Sequence, residues 1–369
     1  MLNAVLFILG GAINIYTVIS AVRTFVLPRA ITDNLTTFVF QVVRKFFDFV
    51  LKYLKTYKQK DNFLSFYAPL SLLVLPPTWF SILSIGYTLM FYATGIRDWE
   101  EAFTIAGSSL LTLGFAKGDL FIHTLLSFTA ATIGLIMVTL LIAYLPTMYA
   151  AFSRREVVVN QLAIRANTPP SPVEMILRYH RLDSLHQFND FWEVWETWFT
   201  ELEESHTSLS ALVFFRSPIA DQSWVNAAGT ILDAAALRLS LLDIPGDQEY
   251  LKGKNANIPI NMDAAITIRA GYIAMRRIED IFDLTYNPNP SFPLNPISIS
   301  RTEFDQAIKI FEDAGIPLRE DKDKAWQDFA GWRVNYDASL IALQEFTNAP
   351  DSPWISPQTG EALGQIHEY

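Results

Sequence analysis

The sequence predicts an all-α membrane protein. It would have three transmembrane helices, a short helix that re-enters the bilayer between the second and third, and a helical domain outside the membrane. Three observations lead there. Three long apolar stretches lie within the first 150 of 369 residues, and apolar residues make up 51% of the whole. The connection between the second and third stretches is too apolar for a solvated loop. The remainder is polar, patterned at helical spacing and nearly free of strand-like alternation.

A spanning helix needs roughly 20 mostly apolar residues to cross a ~30 Å hydrocarbon core. Leu2 to Val22 has no charge, Phe63 to Ala93 is an uncharged run containing Pro69, Pro76 and Pro77, and Leu120 to Tyr149 has His123 as its one ionisable group of concern. The first stretch lacks a basic leader and a small-residue cleavage site, so an uncleaved anchor is expected over residues 1–25.

Residues 26–62 are basic. Leu35, Phe38, Val39, Val42, Val43, Phe46, Phe47 and Val50 recur at helical spacing, with Arg44, Lys45, Asp48 and Lys52 largely on the other side. This is an amphipathic helix suited either to the inner membrane surface, where anionic headgroups favour Lys and Arg, or to packing on a neighbouring subunit or domain. Arg23, Arg29, Arg44, Lys45, Lys52, Lys55, Lys58 and Lys60 lie between spans one and two, and Arg154, Arg155 and Arg165 follow span three. Basic flanks face the cytoplasm. The expected orientation has the N-terminus and the 94–119 connection outside, and residues 151–369 inside.

Charge is divided in the same way. The first 150 residues hold 10 Lys/Arg and 7 Asp/Glu, while the chain totals −10, so the remainder carries −13. An acidic second half argues against a nucleic-acid partner. The absence of cysteine excludes disulfides, thiol catalysis and cysteine-ligated metals.

The connection reads IRDWEEAFTIAGSSLLTLGFAKGDL. Asp98 is a good N-cap, and Glu100 and Glu101 fall in a first turn where the helix dipole favours negative charge. The helix would run from Trp99 to about Leu111, with Ser108 and Ser109 near its end, burying Ala102, Phe103, Ile105, Ala106 and Leu110. It is too short to cross a bilayer, which fits a re-entrant element inside residues 63–150.

The residues after it, Thr112-Leu113-Gly114-Phe115-Ala116, then Lys117-Gly118-Asp119, resemble the Thr-Val-Gly-Tyr-Gly-Asp filter of potassium channels. With span, short helix, filter and span in order, residues 64–149 resemble the pore module of the bacterial two-transmembrane potassium-channel family. The stretch WEVWETWFTELEESHTSLSALVFFRSP is similar to the C-terminal region of bacterial proteins described as two-pore-domain potassium-channel-like. The resemblance implies a homotetramer conducting a monovalent cation, K⁺ by family expectation. Thr112 to Ala116 would line the filter, Lys117, Gly118 and Asp119 the outer mouth, and Trp99 to Leu111 the pore helix. Two departures matter. Ala116 stands where the family has glycine, and an alanine forced to positive φ would be strained. Lys117 is inserted, and a ring of lysines repels cations unless paired with Asp119, Glu100 or Glu101. The alternative is a weakly selective or non-conducting channel-like membrane scaffold or signalling protein.

In span three, Thr129, Thr132 and Thr139 are candidates to face a cavity. Gly134 is either a gating hinge or a point of close helix packing. Pro146 is expected to kink or end the helix. His123, near the outer end, is either a pH sensor or an interfacial side chain.

The second half predicts helices at about 224–242, 262–282, 301–314 and 323–346, with capping boxes at Ser171–Glu174 and Ser300–Glu303. Phe188, Phe191, Trp192, Trp195, Trp198, Phe199 and Leu202 form a stripe that reads as core. Arg216 looks like a loop anchor, and Arg238 with Asp233 like a surface pair. No HExxH, G-x-G-x-x-G, Walker A or G-x-S-x-G motif is present, so neither an enzyme, a metal site nor a cofactor is expected. An unidentified cytoplasmic ligand acting on the gate is the remaining expectation for this half.

Overall fold

The structure, a computed structural model, describes residues 1–25, 33–185, 188–244 and 262–355. It is helical, with no strand among the described residues beyond an isolated bridge between Leu242 and Leu318. The chain divides into two compact units, Met1–Ala151 and Phe152–Tyr369.

The first unit contains α1 (Leu2–Phe25), α2 (Asn34–Leu51), α3 (Tyr57–Leu64), α4 (Tyr67–Ala93), α5 (Trp99–Leu110) and most of α6 (Phe121–Ala166). Three stretches, Leu2–Phe25, Tyr57–Ala93 and Phe121–Ala166, are long and apolar enough to cross a membrane. The chain has the makings of an all-α membrane protein. The middle stretch is broken near its start, where a turn at Ser65 and Phe66 separates α3 from α4. α3 opens on a capping box made by Thr56 and Gln59. The sequence suggested a kink or an end at Pro146, yet α6 continues through it to Ala166.

α1 and α4 pack at a glycine contact. A Cβ on Gly10 would lie 2.4 Å from Gly86 O, so only glycine permits this approach. Asn14 is buried there and its Nδ2 lies 3.5 Å from Met90 Sδ. Lower down, Trp79 Nε1 donates to Ser20 Oγ at 3.1 Å, and Ser20 donates to Asp33 at 2.6 Å. Asp33 in turn caps α2 by accepting from Thr36 N.

The second unit contains α7 (Pro172–Arg181), α8 (Phe188–Ser208), a 3₁₀ turn (Ser210–Phe214), α9 (Trp224–Ser240), α10 (Met262–Ile281), α11 (Arg301–Asp313), α12 (Lys322–Arg333) and α13 (Asp337–Thr347). Every residue of α9 from Trp224 to Arg238 is buried, as suits a helix rich in alanine and mostly apolar. α8 lays Trp192, Trp195, Trp198, Phe199 and Leu202 into the same core. Arg216 donates to Thr347 O at 2.8 Å and Asn348 O at 2.6 Å, holding the end of α13.

Three expectations for this unit need correction. Asp233 and Arg238 are no surface pair, because both are buried and Asp233 is bound by Arg333. Five residues along a helix are not neighbours on one face. The helix expected over 323–346 is two, separated where Asn335 Nδ2 donates to Gly331 O and Trp332 O. Ser171 does cap α7, but Glu174 leaves the box open and pairs with Arg178 and Arg181. At Ser300 both halves of the box form.

His206 yields the first prediction. Its Nε2 lies 3.1 Å from Arg155 Nη1, and its Nδ1 2.9 Å from Leu202 O. Arginine cannot accept a hydrogen bond, so Nε2 is the acceptor and the single ring proton sits on Nδ1. Burial, reinforced by the Arg155 charge, holds the ring well below the usual 6.5. The unfolded chain takes up this proton below about pH 6.5 and the folded chain does not. Stability therefore falls as pH drops through that value, by up to about 1.4 kcal/mol per unit. The melting temperature of His206→Gln should decline less than that of the wild type between pH 7.5 and 5.5. An equal decline in both contradicts the assignment.

Candidate functional site

α5 and the segment after it are built on small buried residues. Asp98 caps α5 by accepting from Glu100 N at 3.1 Å, and Glu100 and Glu101 occupy the exposed first turn. Trp99 is half exposed and stacks on Tyr92 with ring centroids 4.0 Å apart. Arg97 lies over the Tyr92 ring and donates to Asn3 Oδ1 at 3.1 Å. Ala102, Ile105, Ala106, Ser108, Ser109 and Leu110 are buried. Phe103, expected inside, is 56% exposed, because it lies off the buried side of the helix.

The end of α5 is seated on α6. Ser109 Oγ donates to Ser127 Oγ at 2.9 Å. A Cβ on Gly134 would lie 1.9 Å from Leu110 O, so Gly134 is a close-packing position whatever its part in motion.

Ser108 organises the irregular segment beyond the helix end. Its carbonyl accepts from Leu113 N at 2.8 Å and Gly114 N at 3.3 Å, and its hydroxyl accepts from Ala116 N at 3.0 Å. A trans peptide sets each carbonyl opposite the N–H of the next residue. With those three N–H groups turned to Ser108, the carbonyls of Thr112, Leu113 and Phe115 point away from it. Among the described residues, no hydrogen bond reaches the carbonyls of residues 112–116. Thr112, Leu113, Gly114 and Phe115 are all exposed.

Positive φ occurs at Thr112 (57°) and Gly114 (72°), and not at Ala116. The strain expected at Ala116 is therefore absent. It falls on Thr112, a β-branched residue in the left-handed region, at a cost of about 1–2 kcal/mol. Gly114 adopts that region freely. Lys117 and Asp119 are exposed, and neither makes an ion pair among the described residues. Gly118 has a different reason to be glycine, since a Cβ there would lie 2.3 Å from His123 Nδ1. His123 is buried within the protein, and its Nδ1 accepts from Leu120 N at 3.4 Å at the start of α6.

Thr129, Thr132 and Thr139 are exposed, and each hydroxyl donates to a carbonyl of its own helix. Thr129 also accepts from Tyr87 OH at 3.3 Å. The sequence placed Ser108 on α5 without a role. Its one signal there was a small polar residue on an otherwise apolar buried face. Protein-family models, curated proteins and solved structures were compared with the chain, and none matches.

Proposed function

We propose that this chain is the subunit of a homotetrameric cation channel of the cell membrane, conducting K⁺. Thr112 to Ala116 form the filter strand, α5 is the re-entrant pore helix, and α4 and α6 are the pore-module spans. The N-terminus faces outward, and the second unit is a cytoplasmic domain that acts on the gate. The observation that carries this reading is the set of N–H groups gathered on Ser108, which leaves the carbonyls of an exposed segment unbonded among the described residues. Such carbonyls can replace the hydration shell of a cation. One strand supplies only part of each cage, which is why copies must surround an axis.

The second reading is a channel-like scaffold that does not conduct, favoured by Lys117, which makes no ion pair among the described residues. Flux through purified protein in liposomes, comparing K⁺, Na⁺ and Cl⁻ for wild type and Lys117→Gly, separates the two. Flux preferring K⁺ supports the filter, and cation flux without preference supports a pore with an altered filter. No flux in either protein favours the scaffold.

Ser108→Ala removes the acceptor of Ala116 N but keeps the carbonyl bonds. Loss of one buried acceptor costs about 1–3 kcal/mol, so the preference for K⁺ over Na⁺ should fall about tenfold. Ser108→Thr, which keeps the hydroxyl, should retain it. An unchanged preference in Ser108→Ala would remove Ser108 from the filter.

A further inference from the structure

The segment between the first two spans carries a surface that the pore reading leaves unused. α2 is apolar on two adjoining faces. On one, Val39, Val43 and Phe47 are buried, with the Phe47 ring 4.5 Å from Phe63 and 5.5 Å from Tyr67. On the other, Phe38, Val42, Phe46 and Phe49 recur at spacings of four, four and three residues and are 49–61% exposed. Residues three and four apart are neighbours on a helix. Lys45 therefore flanks Val42 and Phe49, and Lys52, just past the helix end, flanks Phe49 as well.

The acids of this segment already have partners. Asp33 is buried against Ser20 and Thr36, Asp48 pairs with Arg44 at 2.9 Å, and Asp61 is buried and accepts from Tyr57 OH. Lys45, Lys52, Lys55, Lys58 and Lys60 are exposed, and none makes an ion pair among the described residues. The result is an open row of aromatic and branched side chains edged by lysines of one sign. Pairing of this face with its own copy would set lysine beside lysine, whereas an anionic bilayer surface satisfies both features together.

We propose that α2 and α3 form a binding site for anionic phospholipid. The headgroup phosphates meet Lys45 and Lys52, with Lys55, Lys58 and Lys60 adding to the attraction, and the acyl chains cover Phe38, Val42, Phe46 and Phe49. The site requires the membrane reading alone and is independent of whether the chain conducts.

The full chain in detergent, titrated with dioctanoyl phosphatidylglycerol or dioctanoyl phosphatidylcholine, tests this by thermal shift and by lipid retention in native mass spectrometry. Wild type should take up phosphatidylglycerol in preference. Each lysine near an anionic surface contributes about fivefold, so Lys45→Gln with Lys52→Gln should weaken that uptake about 30-fold. Lys309→Gln with Lys324→Gln, at exposed positions of the second unit, should leave it unchanged. Equal uptake of the two lipids, or no loss in the α2 variant, overturns the proposal.

A spin label at Phe46→Cys, unique in a chain without cysteine, gives a second measurement in vesicles of the two lipids in equal parts. Collisions with oxygen exceeding those with a water-soluble nickel chelate place the face in lipid. Dipolar broadening would mean a second copy covers it, and dominant nickel collisions would mean water does. Either of those results also overturns the proposal.

Discussion

Gly134→Ala should lower the thermal stability of the full chain in detergent and, on the proposed channel function, abolish ion flux. The added methyl would lie 1.9 Å from Leu110 O, a backbone atom, so no rotamer change relieves the clash. Either α5 or α6 must move, and overpacking of this kind costs about 1–3 kcal/mol or more. The Leu110 carbonyl stands among the last four of α5, which have no partner within the helix. Displacing it shifts the end from which Ser108 holds the strand. A pure hinge role predicts another outcome, in which stability is kept and only the kinetics of opening change. Unaltered melting would therefore count against packing as the reason for this glycine.

In the second unit, Arg333→Met should cost about 3–5 kcal/mol, because it leaves two buried carboxylates without their cation. Arg333 pairs with Asp233 and lies 2.7 Å from Asp337, and it donates to Ser298 Oγ at 3.0 Å. Tyr336 OH adds a bond to Asp233 at 2.8 Å, and Ser298 bonds to both oxygens of Asp337. For a unit of this size the melting temperature should fall by about 10 °C. Circular dichroism on the full chain would measure it. Adding Asp233→Asn and Asp337→Asn should recover most of the loss, since the penalty lies in charges left alone. A triple variant as unstable as the single one would mean that Arg333 acts by packing.

Much of the fold could be read from the sequence because burial leaves periodic marks. The uncharged runs marked the three candidate spans, and Asp98 with Glu100 and Glu101 marked the start of α5. The aromatic stripe on α8 gave part of the second core. Other features leave no such mark. The partner of Asp233 is Arg333, 100 residues away, and nothing local distinguishes it from Arg238. The break before α13 depends on Asn335 folding back on its own helix and on Ser298 reaching Asp337, which are tertiary choices. At the candidate site, the order Thr-Leu-Gly-Phe suggested carbonyls in a row, but which residue holds the N–H groups required three dimensions. The backbone also moved the strained position from Ala116 to Thr112. Gly118 read as part of a motif, whereas its contact with His123 is a matter of space.

The Asn14 amide between α1 and α4 bears on how the protein is made. Asn14 and the Met90 sulfur it meets are 76 residues apart in the chain. During synthesis α1 is complete well before α4 leaves the ribosome, and in that interval its amide and Gly10 have no helix to rest against. Hydrocarbon offers an amide no partner, so the lone helix is at a disadvantage in the bilayer centre. Arrival of α4 both supplies the sulfur contact and lets Gly10 close on Gly86. Packing of the first helix is thus completed only by a segment synthesised much later, and nascent chains halted before Gly86 should be cleared by proteolysis faster than chains that include α4.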